Sequence, residues 1–273
     1  MASHTASLWY VYGIVPSDSL SASPPEGLDD TSVALQAHDG VAALVSVLDS
    51  PDYDPAQLEA KSGEVEWLSP RAVAHDRVLT WASDHAPVVP LPMFSLFSGR
   101  DAVQAMLRDR GPQLERTLAH LGDAREYALR VYRVDAELLD VIPTLSPRLA
   151  ELAASAAAAS PGQRYLLERK LDGEKYAEIR VVTQRIVDDI VETLTAAARQ
   201  IVRSPIPRTE SDASRGTMVL NAAFLVAPTH LEDYQRILTT FIATYGIDGA
   251  GFRFDFTGPW PPYHFVNESG DDE

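Results

Sequence analysis

An α+β fold is predicted for this chain of 273 residues, and three observations predict it. Strand-like runs and turn signals interleave with capped amphipathic helices through the first 134 residues. An Ala-rich stretch and then a long apolar stripe at helical spacing fill the middle. From Thr217 onward, strand and helix patterns alternate again.

Leu8–Val15 (LWYVYGIV) is β-branched and aromatic, which predicts a strand. Pro24-Pro25, Gly27 and several Ser and Asp make 16–32 a loop. Val33–Ala37 and Val41–Leu48 flank His38-Asp39-Gly40, a hairpin signal. Ser69-Pro70 predicts a helix start, with Ala74, Val78, Trp81 and Ala82 on one face as far as His85. Val88–Leu91 reads as a short strand. Ser98 and Asp101 open a helix carrying Val103, Leu107, Leu114 and Leu118 inward, which Gly111-Pro112 should kink or split. Glu126–Val134 alternates as a strand that would complete the first sheet. The first half is thus an N-terminal ferredoxin-like sandwich, with a domain boundary expected between 134 and 135.

Ala136–Ala159 reads as helix with a start broken at Pro143 and Pro147. Ser160-Pro161 opens a helix whose stripe runs through Ile179, Val182, Ile186, Ile190, Leu194 and Ile201, with Gly173 a possible break. Such a helix of about forty residues would span ~60 Å. These long central helices lead through a polar loop (204–216) into a C-terminal α+β domain, also ferredoxin-like. In it, Thr217–Ala227 is a strand and Thr229–Glu232 a capping box. Leu231, Tyr234, Leu238, Phe241 and Tyr245 form a helix face, and Gly246 is its cap. Gly251–Phe256 is a strand with one aromatic face, and the acidic tail after Val266 is expected to fray. The second domain would be 135–273.

Charge and composition exclude several functions. The formal net charge is −16, and none of the 23 bases precedes Lys61, whereas nine acids do. An acidic surface repels phosphates, so no nucleic-acid or membrane partner is expected. No apolar run is long enough to cross a membrane. Residues 1–7 lack the basic stretch of a secretory signal, and the absence of Cys suits a reducing compartment, so a cytoplasmic location is expected.

No motif of catalysis stands out. Gly-rich phosphate cradles, a nucleophile elbow and a His-Glu zinc helix are all missing. His75-Asp76 are adjacent on a helix and would point apart. Asp188, Asp189 and Glu192 share a helix but lack the Glu-x-x-His partners of a dinuclear site. Catalytic, cofactor and metal residues are therefore assigned as none. The distinctive segment is Gly258-Pro259-Trp260-Pro261-Pro262-Tyr263-His264-Phe265. Its prolines must run at a sheet edge or leave the sheet. Two readings stay open: an aromatic plug closing the last domain, or an exposed platform for a partner.

At these residues the chain resembles the gas vesicle protein GvpL/GvpF family. The likeness rests on the opening LWYVYGIV and on Ala74-His75-Asp76. It continues through Val89-Pro90-Leu91 to Phe97 and Gly162–Leu166, and is most specific at Gly258–Phe265. One departure is that Pro92-Met93-Phe94-Ser95 stands where the family commonly has a Leu-Arg-Phe-Gly-Thr-like stretch. The resemblance implies a modified ferredoxin-like domain followed by a helix-rich α+β domain. It also implies a non-catalytic accessory or assembly protein of gas vesicle formation, located at the vesicle and in the cytoplasm. Its expected partners are the hydrophobic shell protein GvpA and other accessory proteins, during nucleation and growth. Gly258, Pro259, Trp260, Pro261, Pro262 and Tyr263 would then be structural or partner contacts. Trp9, Tyr10 and Tyr12 are a candidate partner-binding strand in the acidic first domain. The alternative is a ferredoxin-like enzyme or small-ligand sensor, which would show a pocket of convergent polar groups rather than an apolar strip or groove.

Overall fold

A computed structural model of the chain describes residues 7–48, 51–207, 215–246 and 250–266. The acidic tail beyond Val266, most of the 204–216 loop and the centre of the 246–251 turn lie outside the described residues. The chain is mixed α+β with two sheets, and divides into two compact units: 1–126 with 259–273, and 127–258.

The first unit is built on β1 (Leu8–Pro16), β2 (Ala34–His38), β3 (Val41–Leu48), β4 (Val89–Pro90) and β5 (Leu96–Phe97). The order is β2-β3-β1-β4, with β5 also on β1, and every pairing is antiparallel. β1 is therefore an interior strand. A bulge between Val11 and Gly13 resets its alternation, so that Tyr10, Tyr12 and Val15 all enter one core. Ala74, Val78, Leu79 and Ala82 of α2 (Val65–His85) cover that face. Burying Val78 and Leu79 contributes roughly 1.5–3 kcal/mol each. The alternate residues Val11, Ile14, Ala43 and Val45 are buried on the other face, where α3 (Arg100–Leu121) contacts β1, β2 and β3. A short α1 (Pro55–Lys61) precedes α2.

The second unit contains β6 (Arg125–Arg133, but for its first two residues), α4 (Asp135–Leu145), α5 (Pro147–Ala158) and α6 (Pro161–Ala196). β7 (Gln200–Arg203), β8 (Thr217–Val226), α7 (Leu231–Tyr245) and most of β9 (Phe252–Trp260) complete it. Its sheet runs β7-β8-β6-β9. Ile179, Val182, Ile186, Ile190 and Leu194 of α6 pack with Leu129, Val131, Phe224, Tyr234 and Phe252 in one core. Ser146 caps α5 by accepting from Leu149 N at 3.2 Å, and its hydroxyl donates to the buried Glu178 of α6 at 2.7 Å.

Several expectations need correction. β6 pairs in the second sheet, so the first unit does not take it as a last strand; apolar alternation alone does not say which sheet a strand joins. α2 starts at Val65, with Pro70 inside it, and Asp54-Pro55 caps the overlooked α1 through Ala56 N→Asp54 Oδ1 at 3.1 Å. α3 and α6 run on as single helices past Gly111-Pro112 and Gly173. Ile201 lies in β7 rather than on the α6 stripe. A 3-10 turn, Pro228–His230, stands in place of the capping box before α7.

Candidate functional site

Of the segments that carried the resemblance, Gly162–Leu166 lies in α6 of the second unit, and the others supply residues that meet in the first. Tyr10 and Tyr12 come from the bulged β1, His75 from the buried side of α2, and Phe94 from the turn between β4 and β5. Tyr263 and His264 lie in a 3-10 turn, Tyr263–Phe265, after β9. Tyr10 Oη lies 2.6 Å from His75 Nδ1, and Tyr263 Oη 3.1 Å from His75 Nε2. The Phe94 N–H donates to Tyr10 Oη at 3.3 Å. In the neutral ring one nitrogen donates and the other accepts, so either Tyr10 donates to Nδ1 and Nε2–H to Tyr263, or both directions are reversed. His75 is 4% exposed, and burial lowers its pKa from 6.5 to about 4, so its neutral form links the two hydroxyls. Burial likewise pushes both phenols above their ordinary range.

The rest of the terminal motif is anchored beside this chain. The buried carboxylate of Glu126 accepts from His264 N at 3.0 Å and pairs with His264 Nδ1 at 2.7 Å. Pro261, Pro262 and Phe265 are buried, whereas Trp260 and Tyr263 remain 42% and 36% exposed. β9 is an edge strand, the place where Gly258-Pro259 can be tolerated. The motif thus closes onto the first unit, not onto the last domain as a plug.

A second cluster holds the loop before β2. Tyr12 Oη lies 3.0 Å from Ser46 Oγ and accepts from Leu28 N at 2.8 Å. A Cβ on Gly27 would come 2.0 Å from that hydroxyl, so only glycine fits there. Tyr53 donates to Asp29 at 2.6 Å, and Arg71 pairs with the same carboxylate at 2.8 Å while lying 4.2 Å over the Trp67 ring. Phe94 stacks on Trp67 at 5.6 Å with a left-handed φ of 65°.

Tyr10 and Tyr12 are wholly buried (0% exposed), so the rings offered to a partner are core groups; Trp9 alternates to the opposite face and is half-buried. Glu126, Ser46 and Phe94 were missed, because a buried acid or serine looks like any other in sequence. His75 belongs to the site and Asp76 is exposed. Asp188, Asp189 and Glu192 are exposed on α6, along an open groove of about 1150 Å³ that reaches Tyr245. That groove mixes Arg180 and Arg185 with these acids in solvent, unlike a pocket of convergent buried groups. Among the described residues, no group of His, Asp and Glu is placed to hold a metal ion, and no helix is long and apolar enough to cross a membrane.

Comparison with known proteins places this arrangement. Residues 8–267 match the family model for gas vesicle synthesis protein GvpL/GvpF. Gas vesicle protein L of a Streptomyces species is 27% identical, over 98% of this chain and 96% of that protein. Gas vesicle protein L2 of Halobacterium salinarum is 29% identical, over 97% and 93% respectively. The crystal structure of gas vesicle protein GvpF from an Anabaena species superposes with a TM-score of 0.68, covering 97% of this chain and 98% of that one. At 18% identity that likeness speaks to the fold alone. With the match running from β1 through the terminal motif, the chain belongs to the GvpL/GvpF family of gas vesicle synthesis proteins.

Proposed function

We propose that this chain is a non-catalytic accessory protein of gas vesicle formation, which holds the hydrophobic shell protein GvpA, or other accessory proteins, during nucleation and growth. The observation that carries the reading is the family match along nearly the whole chain. The chemistry of the site is consistent with it. His75, Tyr10, Tyr263 and Glu126 spend their polar atoms on one another and on the backbone, which is the work of a scaffold. A shell monomer with an apolar face would aggregate unless covered. A soluble partner of net charge −16 would keep the complex dispersed. The protein would act at the vesicle and in the cytoplasm, without nucleic acid or membrane.

Co-expression with GvpA tests the reading. Shell protein recovered in the soluble fraction as a defined complex with this chain is the expected result. Shell protein that stays insoluble beside a soluble, folded chain would remove the direct chaperone role.

A further inference from the structure

β2 is the outermost strand of the first sheet, and among the described residues nothing pairs with its outer edge. Its five residues, Ala34-Leu35-Gln36-Ala37-His38, align with β3 without a bulge. Natural edge strands are guarded by lysines, prolines, bulges, inward charges, shortness or a covering element. β2 has no lysine, proline, bulge or inward charge, and is guarded by its short length and one contact from α3.

The direction of its backbone groups follows from the turn. His38 and Val41 close a two-residue hairpin, so His38, Gln36 and Ala34 exchange ladder bonds with β3. The N–H and C=O groups of Leu35 and Ala37 then face outward. The contact of Gln104 Nε2 with Ala37 O, at 3.0 Å, agrees with that direction and occupies one of the four. The Leu35 side chain is 40% exposed and sits opposite Leu44, a member of the α2-side core. A strand laid against β2 would continue that apolar layer.

Charge selects the strand. At the turn, Ser17 N donates to Gly40 O, which brings the exposed Asp18 beside the exposed Asp39. Glu115 of α3 reaches the same place, its Oε1 2.3 Å from where a Cβ on Gly40 would stand. The exposed Asp30 precedes the other end of the strand and adds a carboxylate there, its neighbour Asp29 being already held by Arg71 and Tyr53. His38 Nε2, 3.7 Å from Asp39, is the one titratable base on β2. We infer that the open edge of β2 accepts an extended strand from a partner protein, one with an uncharged β-branched centre and lysines or arginines at its ends. Backbone hydrogen bonds supply affinity and the carboxylates fix register and partner choice. The inference names a surface for the accessory role proposed above and rests on that reading.

The deciding variant is Leu35→Pro. It removes an outward N–H that the β2–β3 ladder does not use, and edge strands tolerate proline there. Thermal unfolding confirms that it folds, and Leu35→Lys serves in its place if it does not. In co-expression with GvpA, the folded variant is expected to retain shell protein roughly tenfold less well than the unaltered chain. Equal retention by both overturns the inference. If the unaltered chain retains no GvpA, the chaperone reading falls, and the edge is judged separately with a synthetic strand, Lys-Lys-Val-Thr-Val-Thr-Val-Lys-Lys. Protection of the Leu35 and Ala37 amides from hydrogen exchange by that peptide, and not by its Glu-flanked counterpart, supports the edge. No protection, or equal protection by both peptides, overturns it.

Discussion

His75 Nε2 and the hydroxyl of Tyr263 stand 3.1 Å apart across 188 residues of sequence. The bond joins the buried side of α2 to the end of the chain, so the first unit is complete only when the terminal motif has docked. The neutral ring donates to one phenol and accepts from the other, and protonation would remove the acceptor. Burial keeps the ring neutral, lowering the His75 pKa from 6.5 to about 4.

The pH dependence of stability follows. Below about pH 6.5 the unfolded chain takes up a proton that the folded chain refuses until about pH 4. The contribution of His75 is therefore fully present above pH 6.5, falls as the pH drops towards 4, and is level below that. Its size is at most about 3 kcal/mol. Other groups titrate in the same range, so the useful measurement is a comparison. Urea midpoints between pH 7.5 and 4 should fall less steeply for His75→Gln than for the unaltered chain. Parallel curves would sink the assignment.

Glu126 and His264 form the second anchor of the motif. Two contacts converge on one carboxylate that is 3% exposed. Glu126→Ala is expected to cost about 1 kcal/mol, because it removes the buried acceptor that holds the His264 backbone and ring. In a double-mutant cycle with His264→Ala, which leaves the backbone N–H in place, part of that cost should prove shared. Additive losses would show that the ring and the carboxylate do not cooperate.

Phe94 offers a test in which backbone and side chain oppose each other. Its left-handed φ of 65° costs an L-residue roughly 1 kcal/mol, while its ring packs against Trp67, Tyr53 and Tyr10. Phe94→Ala loses the ring and keeps the strain; Phe94→Gly loses the ring and relieves it. The glycine variant should therefore be the more stable of the two by about 1 kcal/mol, the reverse of the order in an ordinary strand. Calorimetry on the pair decides it.

These relationships also mark where sequence reasoning stops. β1, the Asp39-Gly40 hairpin and the apolar face of α7 were legible because each is encoded locally, by residue shape, turn chemistry or period. The α6 stripe was followed too far, to Ile201, because Thr195-Ala-Ala-Ala-Arg-Gln200 contains no glycine or proline to mark the stop. The sheet that β6 joins was not legible at all, since Tyr127, Leu129 and Val131 alternate equally well in either. The site was half visible. The aromatic motif and His75 stood out as rare residues in rare company, but that one bonds the other depends on the topology. The same blindness made Tyr10 and Tyr12 look like a partner's landing strip, although β1 is an interior strand.

Tyr234 closes the set with a cost that the fold retains. Its ring lies in the core of the second unit, 5.5 Å from Phe224 and 5.8 Å from Phe256. The side chain is 0% exposed, and its hydroxyl has no hydrogen-bond partner among the described residues. Burial alone drives the phenol pKa far above its ordinary range, so the group stays an uncharged, unsatisfied O–H. Such a group forfeits about 1–3 kcal/mol of hydration without recovering it. Tyr234→Phe keeps the ring contacts and deletes only the oxygen. It should leave the protein about 1 kcal/mol more stable, with a correspondingly higher melting temperature. A variant that melts lower would mean that the hydroxyl is bonded in solution, by an ordered water or a partner, and that the second unit's core is more polar than its packing implies.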